Sequence, residues 1–231
     1  MMDRPLKLVA VTAGLSKPSS TRLLADRLIE ATTRQAPPAD VRVIELRDLA
    51  TAIAHHMVTG FPGPELREAL GAVAEADGVI AVTPVFSASY SGLFKSFFDV
   101  MDSTVLDGKP LLIAATGGTD RHSLVLDHAM RPLFAYLRAL VVPTAVYAAS
   151  ADWGSAGIGT EQEDPLASRT ERAARELAEL MRGRAHAPAP AHAPAPAQVP
   201  APAQAPAPAQ KRNALEEELV PFADQLKALR V

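Results

Sequence analysis

A ten-residue stretch in the middle of the chain, Thr83–Gly92, combines aromatic rings with hydroxyl groups. It follows the apolar run Gly78–Val82, which predicts a strand buried on both faces, and it precedes a helical pattern that begins at Leu93. In open α/β sheets, ligands bind at the carboxyl ends of the strands. Aromatic rings that only pack on neighbouring elements are the alternative interpretation. A planar ligand with polar edges would suit the candidate contacts Pro84, Val85, Phe86, Ser87, Ser89, Tyr90 and Ser91.

The segment Gly14–Arg22 has the composition of an anion site, because it is rich in hydroxyl groups and contains an arginine. It leads into a helix predicted from about residue 20, and the N–H groups and dipole of a helix N-terminus favour a phosphate. An ordinary capped helix start is the alternative, since Ser and Thr are common at that position. The candidate phosphate contacts are Ser16, Ser19, Ser20, Thr21 and Arg22.

A third loop, Thr116–His122, follows another apolar run and contains two adjacent glycines. Because glycine has no Cβ atom, its backbone can approach the edge of a ring closely. For the histidine, a surface position at the start of a helix is an equally good interpretation. The candidate contacts of this loop are Thr116, Gly117, Gly118, Arg121 and His122.

Composition excludes several kinds of chemistry. The 231-residue chain has no cysteine, which excludes disulfides, thiolate catalysis and metal ions ligated by cysteine. The adjacent pair His55 and His56 lacks the spacing of a zinc pattern, and no metal site is expected. The sequence contains no G-x-S-x-G, Walker A or G-x-G-x-x-G motif, which argues against a hydrolase and against a resident nucleoside triphosphate or dinucleotide.

Charge and hydropathy exclude two classes of partner. A formal net charge of −3 does not provide the basic face typical of proteins that bind nucleic acids. No apolar run reaches the length that spans a membrane, and residues 1–6 lack the hydrophobic segment of a signal peptide. We therefore expect a soluble, cytoplasmic protein.

The three loops require a parallel sheet to position them. Strands are predicted at residues 6–13, 41–46, 78–82, 111–116 and 141–149, with helices from about 20, at 64–75, 93–101, 126–137 and 165–181. Residues 52–63 show less regular periodicity. Alternating strands and helices predict a three-layer α/β sandwich, either of the dinucleotide-binding Rossmann order or of the flavodoxin-like order 2-1-3-4-5. Pro143 favours the edge of the sheet for the fifth strand, and hence the flavodoxin-like order.

The end of the chain has a different composition. Residues 185–210 are rich in Ala and Pro, which predicts a disordered or polyproline linker after a domain at residues 1–184. Residues 211–231 regain helical spacing of apolar residues, interrupted by Pro221. A helix that short is marginal alone, so we expect this C-terminal helical tail to dock on the core or on a neighbouring subunit.

The central loop resembles the NADPH-dependent FMN reductase family, whose signature is P-V-Y-x-x-S-Y-S-G-x-x-K. Residues 84–95 read P-V-F-S-A-S-Y-S-G-L-F-K, with Phe86 where the family commonly has Tyr. The resemblance extends over roughly residues 6 to 182 and is strongest to the actinobacterial-type members that supply luciferase-like flavin-dependent monooxygenases.

The resemblance implies FMN as the ligand of all three loops. The Gly14–Arg22 segment would bind its phosphate, the central loop would flank the isoalloxazine and ribityl chain, and the Thr116–His122 loop would lie beside the pyrimidine edge. Hydride arrival at N5 leaves negative charge near N1 and O2, which the backbone N–H groups of Gly117 and Gly118 or the cations Arg121 and His122 could stabilise. For Lys95, an ion pair with Asp99 at i+4 is favoured over a flavin contact.

The main functional hypothesis is an NAD(P)H:FMN oxidoreductase that passes hydride to flavin N5 and supplies reduced FMN to a monooxygenase, with NADPH or NADH as donor. No side-chain acid or nucleophile is then essential. An FMN-containing NAD(P)H quinone or azo reductase is one alternative, and a non-enzymatic flavodoxin-like electron carrier is another. The family resemblance also implies a homodimer or homotetramer.

Overall fold

The structure is a computed structural model that describes residues 4–36, 38–153 and 164–186. Its centre is a mainly parallel sheet. The strands are β1 (Leu6–Thr12), β2 (Ala39–Glu45), β3 (Gly78–Phe86), β4 (Ser89–Tyr90), β5 (Pro110–Gly117), β6 (Leu140–Val141) and β7 (Val146–Ala149). They run in the order β2-β1-β3-β5-β6, while β7 also pairs with β5, and the short β4 pairs antiparallel with β3.

Helices cover both faces of the sheet. They are α1 (Ser20–Gln35), α2 (Leu46–Thr59), α3 (Pro64–Glu75), α4 (Gly92–Asp99), α5 (Arg131–Tyr136) and α6 (Pro165–His186). Val79 and Ala81 on β3 pack in the cluster that contains α2 to α5, whereas Ile80 and Val82 pack with α1 and α6. Because successive side chains of a strand point to opposite faces, two hydrophobic cores form and the predicted three-layer sandwich is confirmed.

The predicted fifth strand is broken into two pieces. β6 pairs with the start of β5 and β7 with its end, and Pro143 lies between them. A proline has no N–H to donate to a ladder, so the pairing is interrupted where it stands. Both pieces lie on the same side of β5 and together take the place of the predicted fifth strand, so the 2-1-3-4-5 order holds. The predicted count of five strands was wrong.

Residues 52–63, which show less regular periodicity, are helical for most of that range, because α2 continues to Thr59. Its buried face is Leu46, Leu49 and Ile53, so packing against the core decides the conformation. Gly60 ends the helix in the left-handed region at φ 76°, and its N–H donates to the His56 carbonyl over 2.8 Å. Residues 60–63 form the loop between α2 and α3.

The helix predicted at residues 126–137 is divided into two consecutive pieces. A π-helical turn, Leu126–Met130, precedes α5, and Pro132 is the second residue of that helix. The residues before Pro132 are already helical, so its missing N–H removes one hydrogen bond at the junction between the π-helical turn and α5.

The end of the chain is described only to His186, five residues beyond the predicted end of the last helix. The rest of the 185–210 linker and the 211–231 segment lie outside the described residues, and both remain predictions. In the part of the chain that the structure describes, no helix has the length and apolar character needed to cross a bilayer.

Candidate active site

A cleft of about 350 Å³ lies at the carboxyl ends of β1, β3 and β5. All three predicted loops contribute to the cleft, and its volume is in the range of sites that bind small ligands. The residues that line it are Gly14, Leu15, Ser16, Ser20, Thr21, Pro84, Val85, Phe86, Thr116, Gly117, Gly118 and Ser150.

The first wall of the cleft is the start of α1. Ser19 caps this helix, with its Oγ accepting from the Arg22 N–H over 3.2 Å, and the two following residues line the cleft. A Cβ atom on Gly14 would lie 2.1 Å from Ser19 Oγ, so only glycine leaves room for this cap. The hydroxyl oxygens of Thr21 and Thr116, both buried, lie 2.9 Å apart and join α1 to the end of β5.

The second wall is a hairpin formed by the ends of β3 and β4. Its two-residue turn, Ser87 and Ala88, has φ values of 48° and 66°, a conformation that disfavours residues with a Cβ atom. Buried Thr83 holds the base of the hairpin, because its Oγ1 donates to the Pro84 carbonyl and accepts from the Ser91 N–H, each over 3.0 Å. Phe86 remains 47% exposed at the mouth of the cleft.

The third wall is the loop that begins at Gly117. Buried Tyr147 lies beneath it and donates its phenolic hydrogen to the Thr119 carbonyl over 2.7 Å. A Cβ atom on Gly117 would lie 2.1 Å from the Tyr147 oxygen, whereas one on Gly118 would meet nothing within 4 Å. Burial raises the pKa of Tyr147, and the nearby Asp120 and Asp152 carboxylates add to this effect, so the phenol keeps the proton that it donates.

Nine of the predicted contacts line the cleft, and the other eight do not. Ser16, Ser20, Thr21, Pro84, Val85, Phe86, Thr116, Gly117 and Gly118 line it. The predicted contacts that lie outside this lining are Ser19, Arg22, Ser87, Ser89, Tyr90, Ser91, Arg121 and His122. Their roles toward a ligand stay predictions.

Other contacts account for several of these eight residues. Ser91 is buried and caps α4, with its Oγ accepting from the Phe94 N–H over 3.1 Å. Tyr90 lines a separate groove between α4 and α5, where its ring centroid is 5.9 Å from that of Phe94. The Arg22 guanidinium pairs with Asp26 and Glu45, at 2.8 Å and 2.6 Å.

The remaining placements are at the surface. Ser87 is exposed in the hairpin turn and Ser89 pairs with Phe86 across the hairpin. Arg121 and His122 are exposed in a single 3₁₀ turn. The predicted ion pair between Lys95 and Asp99 on α4 is present.

Sequence reasoning missed four residues of the site. Ser150 lines the cleft from the end of β7, and its position directly after the last strand was the signal for it. Thr83 and Tyr147 hold two of the loops from below, and Arg47 donates to the Ser16 carbonyl over 2.9 Å. The Arg47 and Tyr147 contacts link residues 31 and 28 positions apart in the chain, so no local pattern identifies them.

The chemistry of the lining fits an anion joined to a planar ring. One end offers hydroxyl groups and the N-terminus of α1, and the other offers Phe86 and the open backbone of Gly118. The described residues that line the cleft include no acidic side chain, which would repel a phosphate. Within the described ranges, no group of three or more His, Cys, Asp or Glu could hold a metal ion.

Comparison with known proteins gives consistent matches. Residues 6–154 match the family described as NADPH-dependent FMN reductase. The chain is 42% identical over 184 residues to an FMN reductase (NADPH) of Pseudomonas aeruginosa, covering 80% of this chain and 97% of that protein. It is 39% identical over 179 residues to the NADH-dependent FMN reductase SfnF of Pseudomonas fluorescens, covering 78% and 94% of the two chains.

A solved structure shows the same fold. An oxidoreductase from Corynebacterium diphtheriae superposes with a TM-score of 0.73 at 44% sequence identity, covering 78% of this chain and 98% of that one. Together with the matched segment, which contains all three loops of the cleft, these similarities show that the chain belongs to the NADPH-dependent FMN reductase family and is an NAD(P)H:FMN oxidoreductase.

Proposed function

We propose that the cleft binds FMN, with the phosphate at the start of α1 and the ring system between the β3 hairpin and the glycine loop. The observation that carries this proposal is the meeting of a hydroxyl-lined helix N-terminus and two ring-compatible loops in one cleft. Ser16, Ser20 and Thr21 would donate to the phosphate, together with free N–H groups of the first turn of α1.

The opposite end of the cleft would orient the ring. When bound, FMN supplies the redox chemistry by accepting the hydride of NAD(P)H at N5. The N–H groups of this loop at Gly117 and Gly118 would stabilise negative charge on the pyrimidine edge, and Tyr147 keeps that loop in place through Thr119. Because the chain supplies binding and orientation, no acid or nucleophile is required of it.

Reduced FMN would leave this site for a flavin-dependent monooxygenase. Ser16, Ser20 and Phe86 are exposed at the mouth of the cleft, so bound flavin would have a direct route to solvent. This arrangement supports FMN as a substrate that exchanges. A prosthetic FMN that co-purifies and cycles against quinones or azo compounds would instead indicate the quinone or azo reductase alternative.

Steady-state kinetics test the proposal. Oxidation of NADPH and of NADH is followed with FMN, FAD and riboflavin in turn, and the same protein is then supplied to a two-component flavin monooxygenase lacking its own reductase. We expect FMN-dependent oxidation and monooxygenase turnover. Absence of FMN-dependent NAD(P)H oxidation would overturn the reductase, and oxidation without any turnover of the monooxygenase would overturn the supply role.

A matched pair of variants on α1 tests the location of the phosphate. Ser20→Ala removes a hydroxyl that lines the cleft, while Thr33→Ala removes an exposed hydroxyl about 20 Å further along the same helix. Loss of one hydrogen bond to a charged group predicts an FMN dissociation constant about tenfold higher for the first variant alone. Equal FMN affinity in both variants would contradict the assignment.

We further propose a cytoplasmic homodimer or homotetramer. Exposed apolar side chains support an assembly, among them Val58 at 87%, Tyr136 at 82% and Phe61 at 77% exposure. Sedimentation velocity of the full chain, with and without FMN, measures the oligomeric state, and a monomer at micromolar concentration would contradict the proposal.

A further inference from the structure

Glu45, at the end of β2, joins two arginines beside the first loop of the cleft. Its Oε1 accepts from Arg22 Nη1 over 2.6 Å, and its Oε2 pairs with Arg47 Nη2. The other terminal nitrogen of Arg47, Nη1, donates to the Ser16 carbonyl over 2.9 Å. One guanidinium therefore connects a carboxylate on the sheet with the backbone of a residue that lines the cleft.

The surroundings make this connection stronger than an ordinary surface contact. The side chains of Arg47 and Glu45 are only 18% and 20% exposed, so water screens the pair less than it screens the exposed pairs of the same surface. Arg47 also lies 3.6 Å from Asp48, on the first turn of α2. A planar guanidinium can serve two acceptors in fixed directions, which a lysine ammonium does less well.

The loop that receives this contact has little support of its own. In the described part of the chain, residues 14–18 make no hydrogen bond from backbone to backbone. β1 ends at Thr12 and α1 begins at Ser20, so the segment between them is fixed by its ends and by side chains. The Arg47 contact thus ties Ser16 to α2 and, through Glu45, to the sheet.

We propose that Arg47 is a positioning residue for the phosphate of the flavin, acting through the Ser16 carbonyl, with Glu45 orienting its guanidinium. This inference rests on the proposed location of FMN. It assigns to Arg47 no contact with the ligand: the residue holds the loop so that the Ser16 and Ser20 hydroxyls and the first N–H groups of α1 converge.

The phosphate dependence of binding distinguishes this role from general stability. Riboflavin has the same ring system as FMN and lacks the phosphate, so a loosened phosphate loop weakens FMN and spares riboflavin. The probes are Arg47→Met, which removes the hydrogen bonds, and Arg47→Lys, which retains one charge. Arg42→Met is the control, because Arg42 lies on the same strand as Glu45 and pairs with Glu68 at the surface.

The measurements are dissociation constants of FMN and riboflavin from flavin-fluorescence titration, and kcat and KM for NAD(P)H oxidation. For Arg47→Met we expect the FMN dissociation constant and the KM for FMN to rise about tenfold. The riboflavin dissociation constant and kcat should stay unchanged within about twofold. Arg47→Lys should recover part of the lost FMN affinity, and Arg42→Met should bind FMN as tightly as the unmodified protein.

Three outcomes would overturn the inference: unchanged FMN affinity in Arg47→Met, equal weakening of FMN and riboflavin, or equal weakening in Arg42→Met. The proposed function fails separately, if the unmodified chain does not bind or reduce FMN at all. If Arg47→Met does not fold, Glu45→Gln keeps the side-chain shape and weakens the orientation of the guanidinium. It must then show the same selective loss of FMN affinity.

Discussion

The Thr21 and Thr116 hydroxyl oxygens lie 2.9 Å apart at the cleft, one on the first turn of α1 and the other at the end of β5. Both side chains are buried, with 2% and 4% exposure, so neither hydroxyl can exchange its partner for bulk water. The pair thereby couples the wall proposed to bind the phosphate to the wall proposed to bind the ring.

We expect Thr21→Val and Thr116→Val each to lower the free energy of unfolding by about 1–2 kcal/mol, because each leaves the other hydroxyl buried without this partner. The double variant should cost about 1 kcal/mol less than the sum of the two, since no orphaned hydroxyl then remains. Urea unfolding of the unmodified protein, the two single variants and the double variant measures this double-mutant cycle. Strict additivity would show that the two hydroxyl groups do not interact.

The Tyr147 hydroxyl leaves no room for a Cβ atom on Gly117, and this leads to a test of the glycine loop. Gly117→Ala would place that atom 2.1 Å from the Tyr147 oxygen, so we expect a loss of about 2 kcal/mol of stability and weaker FMN binding. Adding Tyr147→Phe removes the oxygen and should restore part of the stability, although the ring carbon at 3.1 Å remains close.

Gly118→Ala is the matched control, because its Cβ would meet nothing within 4 Å. Its melting temperature should equal that of the unmodified protein. The interpretation is wrong if Tyr147→Phe fails to improve Gly117→Ala, or if both glycine substitutions destabilise equally.

Sequence could predict the strands and the three loops because their signals are local. Apolar runs such as Gly78–Val82 identify buried strands, and strand ends of a parallel sheet meet at one edge. The helix α2 was missed because its buried residues Leu46, Leu49 and Ile53 lie in its first part, and residues 54–59 contain no buried residue that would continue the helical spacing.

The role of individual polar side chains was harder to predict. A hydroxyl at the start of a helix can cap the helix or face a ligand, and Ser91 does the former while Ser20 lines the cleft. Arg47 reaches the first loop because the parallel register places Glu45 opposite Thr12. That pairing spans more than thirty residues and leaves no periodic trace in the sequence.

A glycine at position 88, in the hairpin turn beside the cleft, should stabilise the folded protein. Ala88 has a φ of 66°, where its Cβ atom is unfavourable, so Ala88→Gly should raise the free energy of unfolding by about 0.5–1 kcal/mol despite the entropy of glycine. Ala54→Gly, on the exposed face of α2, should lower it by about 1 kcal/mol. Denaturant titration measures both, and a decrease for Ala88→Gly would contradict the prediction.

Stability at alkaline pH should depend on Lys109, which is buried at the opposite end of the sheet. Its Nζ donates to the Ala74 and Ala76 carbonyls, each over 2.8 Å, at the end of α3. Burial lowers the pKa of Lys109 from 10.5 to about 8, with the positive charge of Arg184 adding to this and Asp77 opposing it. The folded state therefore releases this proton at a lower pH than the unfolded state.

Because the pKa is lower in the folded protein, the unfolded chain binds more protons between the two pKa values, and stability rises with pH there. Relative to Lys109→Met, the free energy of unfolding of the unmodified protein should increase by about 2 kcal/mol from pH 7.5 to pH 10. Urea unfolding at a series of pH values measures this difference, and Lys7→Met, which removes an exposed lysine paired with Glu75, is the control. A difference that stays constant or falls with pH would show that the buried ammonium retains its proton, held by the two carbonyls at the end of α3.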